Sequence, residues 1–173
     1  MSISSMRCPG LRGLGSSLGL PLLLAAGLSG PAALGAAETR QLYTLTTSCR
    51  VAGAAAQPCE VEALDQGEVT LYRHRIGPVR MTVRIRDKPL RMERWNGARK
   101  RWQPLKQAAA RFSTNTICFN GSDLCVVNPN YLNSIREDRP EATAGRDLVM
   151  VRFDSVGRVN LSCYDEGCGE VKA

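Results

Sequence analysis

Seven cysteines, a single histidine, two tryptophans and a dense run of arginines are the side chains of this 173-residue sequence with chemistry to offer. The cysteines lead. Cys8 stands alone near the start, and the other six, Cys49, Cys59, Cys118, Cys125, Cys163 and Cys168, form three pairs close in sequence. An even set with no Cys-x-x-C run disfavours a zinc site and suits disulfides in an oxidising compartment. A count alone does not fix connectivity, but local geometry ranks the pairs. Gly121-Ser122 between Cys118 and Cys125 has the Gly-first signature of a two-residue type II′ hairpin, which sets these cysteines opposite each other. Cys49 and Cys59 flank an Ala/Gly-rich loop, and Cys163 and Cys168 flank Tyr-Asp-Glu-Gly. The expectation is three local bridges in sequence order. A redox role for Cys163 and Cys168 fits poorly, because four residues separate them instead of thioredoxin's two.

Catalytic constellations are sparse. His74 is the one imidazole, set between Arg73 and Arg75 with no nearby acid to orient it. Its strand parity places it with Tyr72 and Ile76, so packing is its expected role. No nucleophile elbow, phosphate-cradling glycine loop or His-Glu-x-x-His occurs. Asp147 and Asp154 could form a carboxylate pair only if the fold brought them together. The asparagines Asn115, Asn120, Asn128, Asn130 and Asn133 suit turns and caps better than ligand contacts. No catalytic residue, metal or cofactor is expected.

Charge offers more. Between Arg73 and Arg111 thirteen Lys or Arg meet only Asp87 and Glu93, a net +11, against +5 for residues 38–173, where 21 basic residues meet 16 acidic. On neighbouring strands, Arg73, Arg75, Arg80, Arg84, Arg86 and Lys88 would form a face attracting anions. The plainer alternative is a solvated strand surface that deters edge pairing. With a loop centred between Ala98 and Arg99, Trp95 and Trp102 should meet across strands, either as core filling, the expected role, or as an exposed platform for a ring. Nucleic-acid binding is disfavoured, since few aromatics interleave with the cations.

The elements that position these groups read as strands. Val79, Met81, Val83 and Ile85 alternate with Arg80, Thr82, Arg84 and Arg86, the period-two mark of a half-buried antiparallel strand. Further strands are expected at Gln41–Ser48, Cys59–Ala63, Glu68–Ile76, Leu90–Trp95 with a return through Trp102, Phe112–Phe119, Leu124–Val127, Leu148–Phe153 and Arg158–Cys163. Asn128-Pro129 should start a short helix that Pro140 ends. The Ala-rich Leu105–Arg111 segment allows one helical turn. The fold class expected is mainly β: a small antiparallel barrel or sandwich with one short helix, stapled by disulfides.

Residues 1–37 carry the pattern of a signal peptide. Arg7 and Arg12 precede an apolar Leu18–Leu28 core, and Gly35 and Ala37 supply small residues before a cut at Glu38, with a cut after Ala36 nearly as good. An uncleaved anchor is the alternative; the core is short and broken for a bilayer span. This leaves 38–173 as a single β-rich domain without a transmembrane segment, periplasmic or secreted.

The run Arg111-Phe112-Ser113-Thr114-Asn115-Thr116-Ile117-Cys118-Phe119-Asn120, followed by Leu124-Cys125-Val126-Val127-Asn128-Pro129-Asn130-Tyr131-Leu132-Asn133-Ser134, resembles an uncharacterised family of exported cyanobacterial proteins. Tyr72-Arg73-His74 and Arg94-Trp95-Asn96-Gly97 fit the same family. The resemblance covers most of the chain after the leader and implies bacterial export, with no activity and no site residues attached. The functional expectation is a non-enzymatic exported module that meets an anionic envelope polymer or acidic protein through its arginine face. Its rival is an inhibitor or interaction protein using disulfide-held loops such as Phe119–Leu124; a hydrolase built on His74 ranks third.

Overall fold

The structure, a computed structural model, describes residues 38–169, so the leader expected over 1–37 lies outside the described residues. The strands are β1 (Arg40–Val51), β2 (Gln57–Asp65), β3 (Thr70–Ile76), β4 (Val79–Asp87), β5 (Leu90–Asn96), β6 (Arg101–Pro104), β7 (Gln107–Arg111), β8 (Thr116–Phe119), β9 (Leu124–Val127), β10 (Leu148–Phe153) and β11 (Val159–Tyr164). Helix α1 (Pro129–Asp138) and the single turn α2 (Pro140–Thr143) lie between β9 and β10, and a 3-10 turn, Asp165–Cys168, follows β11. All eleven strands join one antiparallel sheet in the order β11-β10-β7-β8-β9-β1-β2-β3-β4-β5-β6.

Two stretches of chain curl that sheet into a half-barrel. The 12-residue β1 is longer than either neighbour needs: it pairs with β2 from Arg40 to Cys49 and with β9 from Cys49 to Val51. At the β6–β7 junction, Leu105 N donates to Met92 O of β5 (2.9 Å), while Lys106 O accepts from Phe153 N of β10 (2.9 Å). Consecutive residues thus serve opposite ends of the sheet. The inner faces meet in one core, where Ile85 and Met92 join Ala108, Ile117, Phe119 and Phe153. Burying each Ile, Met or Phe is worth about 1.5–3 kcal/mol, enough to hold a twisted sheet closed on itself.

Alternation decides which side chains enter that core. Along β3, Tyr72, His74 and Ile76 are buried while Arg73 and Arg75 are exposed. Along β4, Val83 and Ile85 are buried between half-buried arginines. Helix α1 starts where expected: Asn128 Oδ1 accepts from Tyr131 N (3.0 Å), Pro129 occupies the first turn, and Leu132 packs with Ala110 and Phe112. It ends at Asp138, and Pro140 begins the next turn.

Two expectations are corrected. Leu105–Arg111 holds no helical turn; Gln107–Arg111 is a strand hydrogen-bonded on both edges, to β8 and β10. Alanine's helix preference, a few tenths of a kcal/mol per residue over most side chains, is outweighed by two ladders. The Cys118–Cys125 hairpin has a four-residue loop, Asn120–Asp123, in place of Gly121-Ser122 alone. Asn120 leaves the ladder at φ 50° because its backbone N donates to Gln107 O (2.9 Å) and its Oδ1 accepts from Lys106 N (2.7 Å). The register survives, with Cys118 opposite Cys125.

The disulfides are Cys49–Cys59, Cys118–Cys125 and Cys163–Cys168, the three local pairs in sequence order. They join β1 to β2, β8 to β9, and β11 to the 3-10 turn. No helix among the described residues is long and apolar enough to cross a membrane.

Peptide mapping under denaturing, non-reducing conditions should find these three pairs, and replacing Cys118 and Cys125 by alanine should cost about 2–3 kcal/mol in urea unfolding. His74 is 3 % exposed, its Nδ1 lies 3.2 Å from Met81 O, and burial lowers its pKa from 6.5 to about 4. Its folded-state pKa lies below the unfolded value, so its contribution is complete above pH 6.5 and shrinks as pH falls toward 4. Urea unfolding should lose about 3 kcal/mol over that window, and His74→Gln should flatten the loss.

Candidate functional site

The outer, convex face of β3–β6 gathers most of the residues singled out by their chemistry. Cross-strand partners define its rows. Glu62, Arg73 and Thr82 stand side by side across β2, β3 and β4; Leu64, Leu71, Arg84, Glu93 and Pro104 form the next row, running on to β6. Arg86 faces Arg91 in the row beyond. Leu64 and Leu71 are buried yet outside the core cluster, which places them under the long polar side chains of this face.

Trp95 and Trp102 sit directly opposite each other on the same face, which overturns their expected role as core filling. Trp95 is 41 % exposed and Trp102 is half-buried. The reason lies in the register. Met92 in β5 and Leu105, the residue just past β6, face the core, so the tryptophans, of opposite parity, face out. Their rings meet edge to face, centroids 5.3 Å apart and planes at 65°. The Arg84 guanidinium lies 4.4 Å from the centre of the Trp102 ring, and its Nε donates to Glu93 Oε2 (2.5 Å). Aromatic surface and fixed cation are therefore contiguous.

The arginines are less segregated in space than along the chain. Strand β2 contributes Glu60, which pairs with Arg75, and Glu62, which pairs with Arg73 at 3.4 Å. Glu68 Oε2 stands 3.9 Å from Arg86 Nε. Arg80 turns back to its own hairpin, donating to Gly77 O (2.7 Å) and Val79 O (3.1 Å). Lys88 leaves the face altogether: it belongs to the β4–β5 turn, whose Lys88-Pro89 bond is cis, and borders a cleft with Tyr131 and Asp138. Exposed pairs of this kind contribute at most about 1 kcal/mol and exchange readily for other partners.

Cations that sequence reasoning passed over lie beside the tryptophans. Arg99 and Lys100 are exposed in the β5–β6 loop, and exposed Arg101 opens β6. Three consecutive basic residues in the turn between two tryptophans were the signal. Arg91, opposite Arg86, was also missed; only the β4–β5 register reveals it.

Other candidates resolve into structural roles. Buried, neutral His74 meets a backbone carbonyl, and no carboxylate among the described residues orients it. Asp147 and Asp154 flank opposite ends of β10, about 20 Å apart along the strand, and cannot act as a carboxylate pair. Hydrogen bonds hold both below the usual carboxylate range: Asp147 accepts from Ser113 N and Arg111, and Asp154 from Arg158 and Val156 N. In the loop favoured by the rival reading, Phe119 and Leu124 are buried, so only Asn120–Asp123 is presented. Comparison with protein-family models, curated proteins and solved structures finds no match.

The edge-to-face pair has a spectroscopic consequence. Two indoles at this separation couple, so the far-ultraviolet circular dichroism should show an exciton couplet that either Trp95→Phe or Trp102→Phe abolishes. Each change should cost about 1 kcal/mol or less, because the pair lies outside the core. A couplet that persists in both variants contradicts the geometry.

Proposed function

We propose that this domain is an exported, non-enzymatic binding module whose β3–β6 face takes an anionic envelope polymer. The observation carrying this reading is the outward Trp95–Trp102 pair, with Arg84 against one ring and Arg99, Lys100 and Arg101 in the adjoining loop. Exposed aromatic surface is expensive in water and suits the apolar face of a sugar ring. The loop cations supply attraction along a charged chain, and Arg73, Arg75 and Arg86 can exchange surface carboxylates for groups on the ligand. Arg80 and Lys88 contribute at longer range.

Localisation follows the same reading. The leader pattern, three disulfides and the resemblance to exported cyanobacterial proteins support a periplasmic or secreted protein. The polymer fits better than an acidic protein, because one aromatic pair beside a line of cations matches a repeating ring-and-charge ligand.

Chromatography on heparin-type and lipopolysaccharide resins tests the reading. The protein should stay bound beyond about 0.3 M salt, where simple surface attraction is largely screened. Trp95→Ala should weaken binding about tenfold, as should neutralising Arg99, Lys100 and Arg101 together. Elution of both variants at the salt concentration of the parent protein contradicts it.

A further inference from the structure

Beyond the tryptophans, the same face holds a cavity of about 150 Å3 between β4, β5 and the β10–β11 turn. Arg84, Arg86, Arg91 and Glu93 line it, Val156 and Gly157 wall it, and Pro104 closes one side. Gly157, at φ +78°, lies against Pro104, where an added Cβ would come within 3.5 Å of the proline ring. The turn therefore approaches the sheet closely enough to make a pocket of an otherwise open strand surface.

The arginines in it are arranged unusually. Arg86 and Arg91 are direct cross-strand partners, a juxtaposition of like charges that is ordinarily destabilising. The Nε of each is buried, with no hydrogen-bond partner among the described residues. Glu68 stands 3.9 Å from Arg86 Nε, within ion-pair range but too far for a hydrogen bond. Glu93 is engaged by Arg84. Two guanidinium groups thus bring desolvated donors to one small space, where an acceptor would offset both the lost hydration and the mutual repulsion.

We infer that this pocket is an oxyanion site for a phosphate or sulfate group. The inference rests on the reading of the face as polymer-binding and names the group that the polymer carries. Three arginines against Glu93 and the more distant Glu68 leave a local charge of +1, which favours an anionic group. A carboxylate is satisfied by one guanidinium, as Glu93 is by Arg84 Nε. A tetrahedral oxyanion has enough oxygens to accept from Arg86 and Arg91 together. The volume admits it, since a single water occupies about 30 Å3. Arg91 and Trp95 are four positions apart on β5, about 13 Å, so one polymer strand can rest a ring on the tryptophan and an anionic group in the pocket.

The direct test is the arginine Nε–H spectrum of the 15N-labelled protein, titrated with inorganic phosphate, acetate or chloride at matched ionic strength. The Nε–H resonances of Arg86 and Arg91 should move saturably with phosphate, at least about tenfold more tightly than with acetate, and Arg91→Gln should abolish that preference. A sulfated oligosaccharide should move the same resonances at lower concentration than free phosphate, and Arg91→Gln should weaken its binding. Resonances that respond to phosphate no more than to chloride overturn the inference. Should polymer retention depend on Trp95 but not on Arg91, the pocket is overturned and the polymer reading stands. Should phosphate bind as described while retention ignores Trp95, the pocket stands as a site for the free ion and the polymer reading is overturned.

Discussion

The structure depends on one constraint above others: successive side chains of a strand must take opposite faces of the sheet. In β3 and β4 the chain supplies alternating apolar and basic residues, and the inner face takes Tyr72, His74, Ile76, Val83 and Ile85. Everything of opposite parity is then committed to the outer face, whatever its chemistry. Arg73, Arg75, Arg84 and Arg86 follow that rule, and so do the two tryptophans. The outward position of Trp95 and Trp102 is a by-product of burying Met92 and Leu105, not a separate device.

Curling the sheet turns this alternation into an inside and an outside. A flat sheet of eleven strands would leave both faces in water; here β1 serves two neighbours in succession, and the β6–β7 junction carries the chain across in two residues. The core that results is modest, and the short-range disulfides supplement it by limiting the unfolded chain. Rigidity matters for the outer face. Cross-strand neighbours on a hydrogen-bonded sheet keep their spacing, so a ring platform and an arginine pocket can be held at a fixed separation.

Much of this was legible in the sequence for a physical reason. The Val79–Ile85 alternation, the Asn128-Pro129 start of α1 and the local cysteine spacings are signals carried by adjacent residues, and local rules read them correctly. The failures share a different cause. The strand at Gln107–Arg111 exists because β8 and β10 flank it, and no window along the chain contains that information. Asn120 opens its hairpin loop to bond residues more than ten positions earlier. The arginine run looks segregated in one dimension, yet Glu60 and Glu62 arrive beside it through the β2–β3 pairing. The facing of Arg86 and Arg91 likewise follows from the register of β4 on β5, and the turn that walls their pocket lies over sixty residues downstream.

The proposed function requires that the outward tryptophans touch ligand. Their two indole N–H resonances can be followed while a sulfated oligosaccharide of defined length is added to the labelled protein. Saturable shifts of both indoles, with a common midpoint and suppressed by high salt, are the predicted result. Indoles that stay fixed while the oligosaccharide binds elsewhere would contradict it.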